Sequence, residues 1–113
     1  GRLVWAGAGH LPPLVLPVGG EPRFVDLPGG PPLGAGPGYA ERPVTLGRGD
    51  ALVLYTDGAV EERGRPLDHG MAALRAAVPA GAGAGEITAA LRDLVGGRAT
   101  GGDDVALLVV VRR

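Results

Sequence analysis

The sequence contains no Cys, Lys, Ser, Asn or Gln. The absence of Cys and Ser excludes thiol and serine nucleophiles, disulfides and thiolate zinc sites. The absence of Lys excludes a Schiff base and the lysine of a phosphate-binding P-loop. The groups that remain for catalysis are carboxylates, two His, two Tyr, four Thr and a bound metal ion.

An excess of positive charge is also lacking. All 11 basic residues are Arg, and 12 acidic residues give a formal net charge of −1. Nothing in this balance favours binding to a phosphate backbone, so we expect no nucleic-acid partner. A membrane-spanning helix needs about 20 mostly apolar residues. Every apolar stretch of that length in this sequence is interrupted by Pro or Gly. We therefore expect no membrane contact from this segment and a cytoplasmic location.

Gly and Pro are abundant, with 22 and 11 residues. Such a content approaches that of low-complexity chains. However, 45% of the residues are hydrophobic, and they are arranged in runs that a disordered chain lacks. A length of 113 residues allows one domain at most. The chain begins with Gly and passes at once into an apolar strand pattern, so we expect a piece of a longer protein.

The hydrophobic pattern predicts strands, then helices, then one more strand. The predicted strands are residues 3–6, Leu14–Leu16, 23–27, 43–46, 51–56 and 105–111. We expect the first two to form a hairpin-like pair, Pro43 to place its strand at an edge, and residues 105–111 to be buried on both faces. The fold class is α/β, a sandwich with a mainly antiparallel sheet.

Two amphipathic helices are predicted in the second half of the chain. In the first, Met71, Leu74 and Val78 share a face, and Asp68 is the expected cap. The second helix carries an apolar stripe and ends at a pair of glycines. The stripe consists of Ile87, Leu91, Leu94 and Val95, and the glycines are Gly96 and Gly97.

Carboxylates occupy the ends of two predicted strands. Asp57 follows residues 51–56, and Asp103 and Asp104 precede residues 105–111. If these strands are antiparallel neighbours, the end of one and the start of the other meet at one rim of the sheet. Oxygen ligands gathered there suit Mg²⁺ or Mn²⁺. Asp-Gly and Gly-Asp-Asp are also common turn sequences, so each motif alone is compatible with an ordinary loop.

Three further residues belong to this candidate site. Gly58 and Gly102 let the backbone approach the same spot closely. Glu61 follows Asp57 by four residues and would point back toward the carboxylates if a helical turn begins at Gly58.

Four sequence blocks in order resemble the PPM-type protein serine/threonine phosphatases, more narrowly the SpoIIE group (stage II sporulation protein E and relatives). The blocks are AGHLPPL at residues 8–14, PLG at 32–34, GD at 49–50 with YTDG at 55–58 and Glu61, and GDDVALL at 102–108. Each block is weak alone, but the ordered set covers nearly all of the chain and is quite specific.

The resemblance implies a β-sandwich flanked by helices, with a site for two Mg²⁺ or Mn²⁺ ions at one end. It implies that a water bridging the two ions attacks phosphorus without a phospho-enzyme. It also implies that Asp57 and Asp103 are metal ligands. Glu61 and Asp104 are candidates for an additional ion or for hydrogen bonds to the ligands, and Gly58 is a candidate neighbour of the site.

The chain departs from the family pattern in one respect that concerns the metals. The family's first metal block, Asp-x-x-Gly-His-Gly, is absent from these 113 residues. The resemblance therefore implies that residues 1–113 are the C-terminal part of one phosphatase domain, and that this fragment is inactive alone. Gly7 also replaces a usual Asn, and Ala106 a usual Thr, but neither is a proposed ligand.

The expected function is metal-dependent removal of phosphate from Ser or Thr of a regulatory protein in bacterial signalling. By resemblance, the substrate is a phosphoprotein such as an anti-sigma-factor antagonist, and a sensor or signalling domain lies upstream. The alternative is a catalytically inactive module that keeps the fold and only binds partners. The presence of both Asp57 and Asp103 favours the enzyme.

The two histidines carry weaker signals. His10 lies in a turn rich in Gly and Pro, where a structural role is more common than that of a general acid. His69 lies near a predicted helix start, where a solvated side chain is the ordinary outcome. The sequence therefore favours a structural role for His10 and assigns no role to His69.

Overall fold

The computed structural model describes residues 1–26, 30–97 and 103–113. Within these residues the chain forms six strands, a 3-10 turn and two α-helices. The strands are β1 (Arg2–Ala6), β2 (Leu14–Leu16), β3 (Arg23–Phe24), β4 (Glu41–Thr45), β5 (Ala51–Tyr55) and β6 (Leu107–Val111). The 3-10 turn is Asp57–Ala59, and the helices are α1 (Leu67–Ala77) and α2 (Ala84–Gly96).

The strands form two antiparallel sheets. One sheet has the order β3-β2-β5-β6, and the other pairs β1 with β4. Successive side chains of β5 point to opposite faces of the sheet. Val53 packs in the cluster that includes the helices, whereas Leu52 packs with Val44 and Val15 between the sheets. The predicted α/β sandwich with a mainly antiparallel sheet is confirmed.

The helices cover one face of the four-stranded sheet. Leu74 of α1 and Ile87 and Leu91 of α2 are fully buried in the same cluster as Leu14. The backbone N–H of Gly83 donates to the Glu86 carboxylate at 3.0 Å, which satisfies one free donor at the start of α2. The predicted second helix is confirmed, with Gly97 as its C-cap.

The first helix begins differently from the prediction. Its N-cap is Pro66, and Asp68 lies inside the first turn without a side-chain capping hydrogen bond. The predicted cap is therefore wrong. An extended Pro66 leads the chain into the helix at Leu67, and a carboxylate in the first turn still favours the helix dipole.

The predicted pairing of the first two strands is wrong. β1 pairs with β4 in one sheet, whereas β2 pairs with β3 and β5 in the other. The connection between them includes Gly9 at a φ of 76° and two prolines, and it carries the chain from one layer to the other. The expected edge position of Pro43 holds, because β4 belongs to a two-stranded sheet.

Two other strands are shorter than predicted. β3 covers only Arg23–Phe24, although Phe24 and Val25 do contribute to different clusters as expected for opposite faces. β6 begins at Leu107 and is not buried on both faces: Leu108 is 55% exposed and Val110 is 44% exposed. The physical reason is that β6 lies at the sheet edge, beyond the part that β1 and β4 cover.

No helix in the described part of the chain is long and apolar enough to cross a membrane.

Candidate functional site

The site is built where β5 ends and β6 begins. These strands are antiparallel neighbours with Tyr55 opposite Leu107 and Ala51 opposite Val111. The segments that leave the two strands therefore run side by side at one rim of the sheet. Asp57 lies on one segment, and Asp103 and Asp104 lie on the other, as the sequence predicted.

Thr56 joins the two segments. Its backbone N–H donates to the Ala106 carbonyl at 3.1 Å, and the Ala106 N–H donates to the Thr56 hydroxyl oxygen at 2.9 Å. The same hydroxyl donates to the Asp104 carbonyl at 3.4 Å. These bonds extend the β5–β6 contact past the last strand pair and hold residues 103–106 beside Asp57. Sequence reasoning missed this role of Thr56, although a Thr between a strand and an Asp-Gly turn is a detectable signal.

Gly58 allows a close backbone approach. A Cβ at this position would lie 2.5 Å from the Asp104 carbonyl oxygen and 3.3 Å from that of Asp103. Only a residue without a side chain fits this space, in agreement with the prediction for Gly58. Gly102, predicted to have the same role, lies outside the described residues.

The 3-10 turn carries Glu61 back toward the carboxylates. The Asp57 carbonyl accepts hydrogen bonds from the N–H groups of Val60 at 2.9 Å and Glu61 at 2.7 Å. A side-chain hydrogen bond with Asp103 raises the pKa of the Glu61 carboxyl. Partial desolvation and the negative charges of Asp103 and Asp57 raise this pKa further. These acidic neighbours therefore disfavour the charged form of the Glu61 carboxyl.

This donor set has the chemistry of a hard-cation site. Asp57, Glu61 and Asp103 supply only oxygen atoms, and their mutual repulsion is what a divalent cation would relieve. However, the described residues contain no group of three or more His, Asp or Glu side chains arranged to hold a metal ion. The oxygen atoms at this rim are therefore of the type that a divalent cation prefers. The described side chains do not by themselves surround such an ion.

An aromatic cluster borders the same rim. The Tyr55 hydroxyl donates to the Pro12 carbonyl at 2.7 Å, and burial raises the pKa of Tyr55 to about 12. The His10 ring lies edge-on to Trp5 and Tyr55, with ring centroids 5.6 Å and 6.4 Å away. The structure thus brings His10 to the sheet end that carries Asp57, which the sequence did not indicate.

His69 lies in a separate, exposed cluster. Its Nε2 accepts a hydrogen bond from the Arg65 guanidinium at 2.7 Å, and its Nδ1 lies 3.5 Å from a Glu62 carboxylate oxygen. Glu62 and Arg65 lie before α1, and His69 lies in its first turn. The expectation of a solvated His69 agrees with its exposure.

The sequence matches the family Stage II sporulation protein E (SpoIIE) over residues 1–113. The chain belongs to this family. The predicted family resemblance is therefore confirmed.

Two solved structures are similar to the chain. One contains the RsbU and RsbW domains of Rv1364c from Mycobacterium tuberculosis, with 35% identity and a TM-score of 0.85 over 100% of this chain and 34% of that chain. The other contains the PP2C phosphatase domain and a fragment of the regulatory domain of SpoIIE from Bacillus subtilis. It has 16% identity and a TM-score of 0.69 over 97% of this chain and 34% of that one. The chain thus spans about a third of each matched chain, and its fold is that found in a PP2C-type phosphatase domain.

Proposed function

We propose that this SpoIIE-family chain is part of a protein serine/threonine phosphatase that requires Mg²⁺ or Mn²⁺. The observation that carries the proposal is the antiparallel pairing of β5 and β6 with Gly58 packed against the Asp104 carbonyl, because it holds the segments that carry Asp57 and Asp103 side by side at one rim of the sheet. Paired ions activate water and stabilise the negative charge that develops on a transferring phosphoryl group.

Each residue of the rim has a role in this proposal. Asp57 and Asp103 bind the ions directly. Glu61 and Asp104 contribute to an additional ion or hold the ligands by hydrogen bonds. Gly58 keeps the two segments close enough for the carboxylates to act together, as the space beside its α-carbon indicates.

The 113 residues supply one side of the site in this proposal. The described residues alone hold no complete metal-binding group, and the Asp-x-x-Gly-His-Gly block of the family is absent from the sequence. We propose that a further segment of the same domain carries that block. The substrate is a phosphoprotein of bacterial signal transduction, such as an anti-sigma-factor antagonist in the cytoplasm, and an upstream sensor or signalling domain controls the activity.

The test is phosphate release from a phosphoserine peptide by the full-length protein with Mn²⁺. Asp57→Asn and Asp103→Asn should each abolish release while the circular dichroism spectrum stays native. Asp93→Asn, which removes an exposed carboxylate of α2, is the matched control and should retain wild-type turnover. Wild-type turnover in either rim variant would refute the ligand assignment.

A second measurement tests the division of the site and the alternative of a binding module. The 113-residue chain alone should release no phosphate, because it lacks ligands for two ions. Metal-dependent turnover by this chain alone would refute the shared site. A full-length protein that binds its phosphoprotein but never hydrolyses it would establish the binding module instead.

A further inference from the structure

An open groove lies at the end of the four-stranded sheet opposite the rim that carries Asp57. It is formed by the end of β2 and the turn after it, by Gly49 before β5, and by the connection between α1 and α2. Its empty volume is about 290 Å³. β5 has five residues, so the strand that separates this groove from the rim is about 17 Å long. The metal ligands at the rim therefore do not account for the groove.

Every residue that lines the groove has an apolar side chain or none. The lining consists only of Gly, Ala, Pro, Leu, Val and Ile, and Val18 within it is 58% exposed. Pro17, Pro22 and Pro79 belong to this lining, and a proline ring fixes the backbone φ. Walls that contain prolines keep their shape without a ligand, which reduces the ordering cost of binding.

Asp50 holds together the two segments on one side of the groove. Its carboxylate accepts hydrogen bonds from the N–H of Val18 at 2.8 Å and from that of Gly47 at 2.7 Å. A Cβ on Gly49 would lie 2.8 Å from a methyl carbon of Val18, so the segments are in direct contact. Both carboxylate oxygens of Asp50 are thus engaged by the protein backbone.

Three arginines lie close to the groove. Arg23 and Arg48 are each next in sequence to a lining residue, and both are exposed. Arg112, like Arg23, lies in electrostatic range of Asp50, and its guanidinium donates to the Leu46 carbonyl at 2.6 Å. In the part of the chain that the structure describes, none of the three forms an ion pair with a carboxylate. Their charges are therefore available to a partner.

The carboxylates near the groove offset this positive charge only in part. Asp50 is engaged as described, and Glu86 accepts a hydrogen bond from the Gly83 N–H at 3.0 Å. Such bonds from backbone N–H groups stabilise the negative charge of a carboxylate within the protein. Glu21, beside the lining residue Pro22, is the exposed carboxylate that remains. Three guanidinium groups against this one carboxylate leave the edge of the groove positively charged.

We propose that this groove binds an acidic peptide segment of a partner protein. An aliphatic side chain of the segment, such as that of leucine, packs against the apolar lining, and its carboxylates pair with Arg23, Arg48 and Arg112. Guanidinium groups suit this role because they present paired N–H donors to a carboxylate. A small polar molecule suits the groove less well, because no lining side chain can fix its orientation by a hydrogen bond. This docking site is separate from the phosphatase reaction and needs no metal ion.

The experiment measures the binding of fluorescein-labelled peptides to the full-length protein by fluorescence anisotropy. The probe is the peptide Glu-Glu-Leu-Leu-Glu-Glu. We expect saturable binding with a Kd below about 1 mM, and a higher Kd when the salt concentration is raised from about 50 mM to about 500 mM. Gln-Gln-Leu-Leu-Gln-Gln lacks the charges, and Glu-Glu-Gly-Gly-Glu-Glu lacks the leucines. Each of these control peptides should bind at least about 10-fold more weakly.

Substitutions locate the binding site on the protein. Arg48→Glu reverses a charge in an exposed turn, and Val18→Asp places a carboxylate in the lining. Each should weaken binding of the acidic peptide at least about 10-fold. Arg92→Glu makes the same charge change on the exposed surface of α2 and should leave the Kd within about 2-fold of wild type. Asp57→Asn at the rim should also leave the Kd unchanged, with or without Mn²⁺.

Four results would overturn the docking site. These are the absence of saturable binding, equal binding of the three peptides, equal losses in Arg48→Glu and Arg92→Glu, and loss of binding in Asp57→Asn. Binding to phosphatidylglycerol vesicles without binding to the peptide would assign the surface to a membrane instead. If Val18→Asp does not fold by circular dichroism, Arg23→Glu takes its place. None of these measurements depends on phosphate release, so the proposed phosphatase function stands or fails separately.

Discussion

The α-carbon of Gly58 faces the carbonyl oxygen of Asp104 so closely that a Cβ would lie only 2.5 Å from it. The two residues are far apart in sequence and meet because β5 and β6 are antiparallel neighbours. Since the facing atom belongs to the backbone, it cannot move away by a change of rotamer. The spacing of the segments that carry Asp57 and Asp103 therefore depends on the missing side chain at residue 58.

Gly58→Ala should push these segments apart. We expect a loss of about 1–3 kcal/mol in the free energy of unfolding, typical of an overpacked site, together with weaker Mn²⁺ binding in the full-length protein. Chemical denaturation and calorimetric titration would measure both. Gly96→Ala is the control, because a Cβ there meets nothing within 4 Å, and it should change stability by less than about 0.5 kcal/mol. A Gly58→Ala variant that matches this control would contradict the close approach.

Gly70 lets α1 pack against the chain that follows the 3-10 turn. A Cβ on this buried residue would overlap the carbonyl group of Val60. Gly70→Ala should therefore cost about 3 kcal/mol of unfolding free energy, despite the better helix propensity of Ala. The matched control is Gly85→Ala in α2, where the Cβ meets nothing and the change should stabilise by up to about 1 kcal/mol. Thermal unfolding of the two variants side by side decides the matter: equal shifts would refute the Gly70–Val60 packing.

Asp50 makes stability depend on acid pH. Its carboxylate accepts from the N–H groups of Val18 at 2.8 Å and Gly47 at 2.7 Å, and these bonds lower the pKa of Asp50 below the ordinary 3.8. A lowered folded-state pKa means that the stabilisation is complete above the unfolded-state pKa and is lost as pH falls through the folded-state pKa. Asp50→Asn should thus be less stable than wild type at pH 7, and the difference should shrink below about pH 4.

Denaturation midpoints from pH 7 to about pH 2 test this expectation. Asp26→Asn changes another exposed aspartate and is the control. If Asp50→Asn is less stable than wild type by the same amount at every pH measured, the carboxylate charge does not contribute to the difference.

Ionisation of Tyr55 makes the stability of the fold depend on pH in the alkaline range. The ring is 2% exposed, its hydroxyl donates to Pro12, and its pKa is raised to about 12. A raised folded-state pKa means that stabilisation is complete below about pH 10 and is lost as pH rises through about pH 12. Tyr55→Phe should remove this alkaline loss and cost about 1 kcal/mol at pH 7 through the lost hydrogen bond.

Tyr39→Phe provides the comparison for Tyr55→Phe. The Tyr39 hydroxyl also bonds to the backbone, at Pro32 and Gly34, but these bonds are exposed. Tyr39→Phe should therefore lower the free energy of unfolding at pH 7 by less than Tyr55→Phe does. Equal losses in the two variants would indicate that burial of Tyr55 adds nothing to its hydrogen bond.

Most local elements of this protein are predictable from short-range patterns. The stripe of Ile87 and Leu91 identifies α2, and the apolar run of residues 51–55 identifies β5, because periodicity depends on which side of one element faces the core. The predictions that are wrong concern which strands pair with each other and which strand faces are covered. Nothing near β1 in the sequence indicates that it pairs with β4, and the apolar run of β6 does not reveal that Leu108 and Val110 are exposed.

The amino-acid sequence by itself determined the family, the order of the elements and the residue types of the rim, since Asp57, Gly58 and Asp103 belong to contiguous blocks. Only the tertiary structure decided that Gly58 packs against the Asp104 carbonyl and that the His10 ring lies against Trp5 and Tyr55. These contacts arise from strand pairing and register between segments distant in the chain. A pattern along one segment carries no information about such distances, because sheet packing sets them across several segments at once.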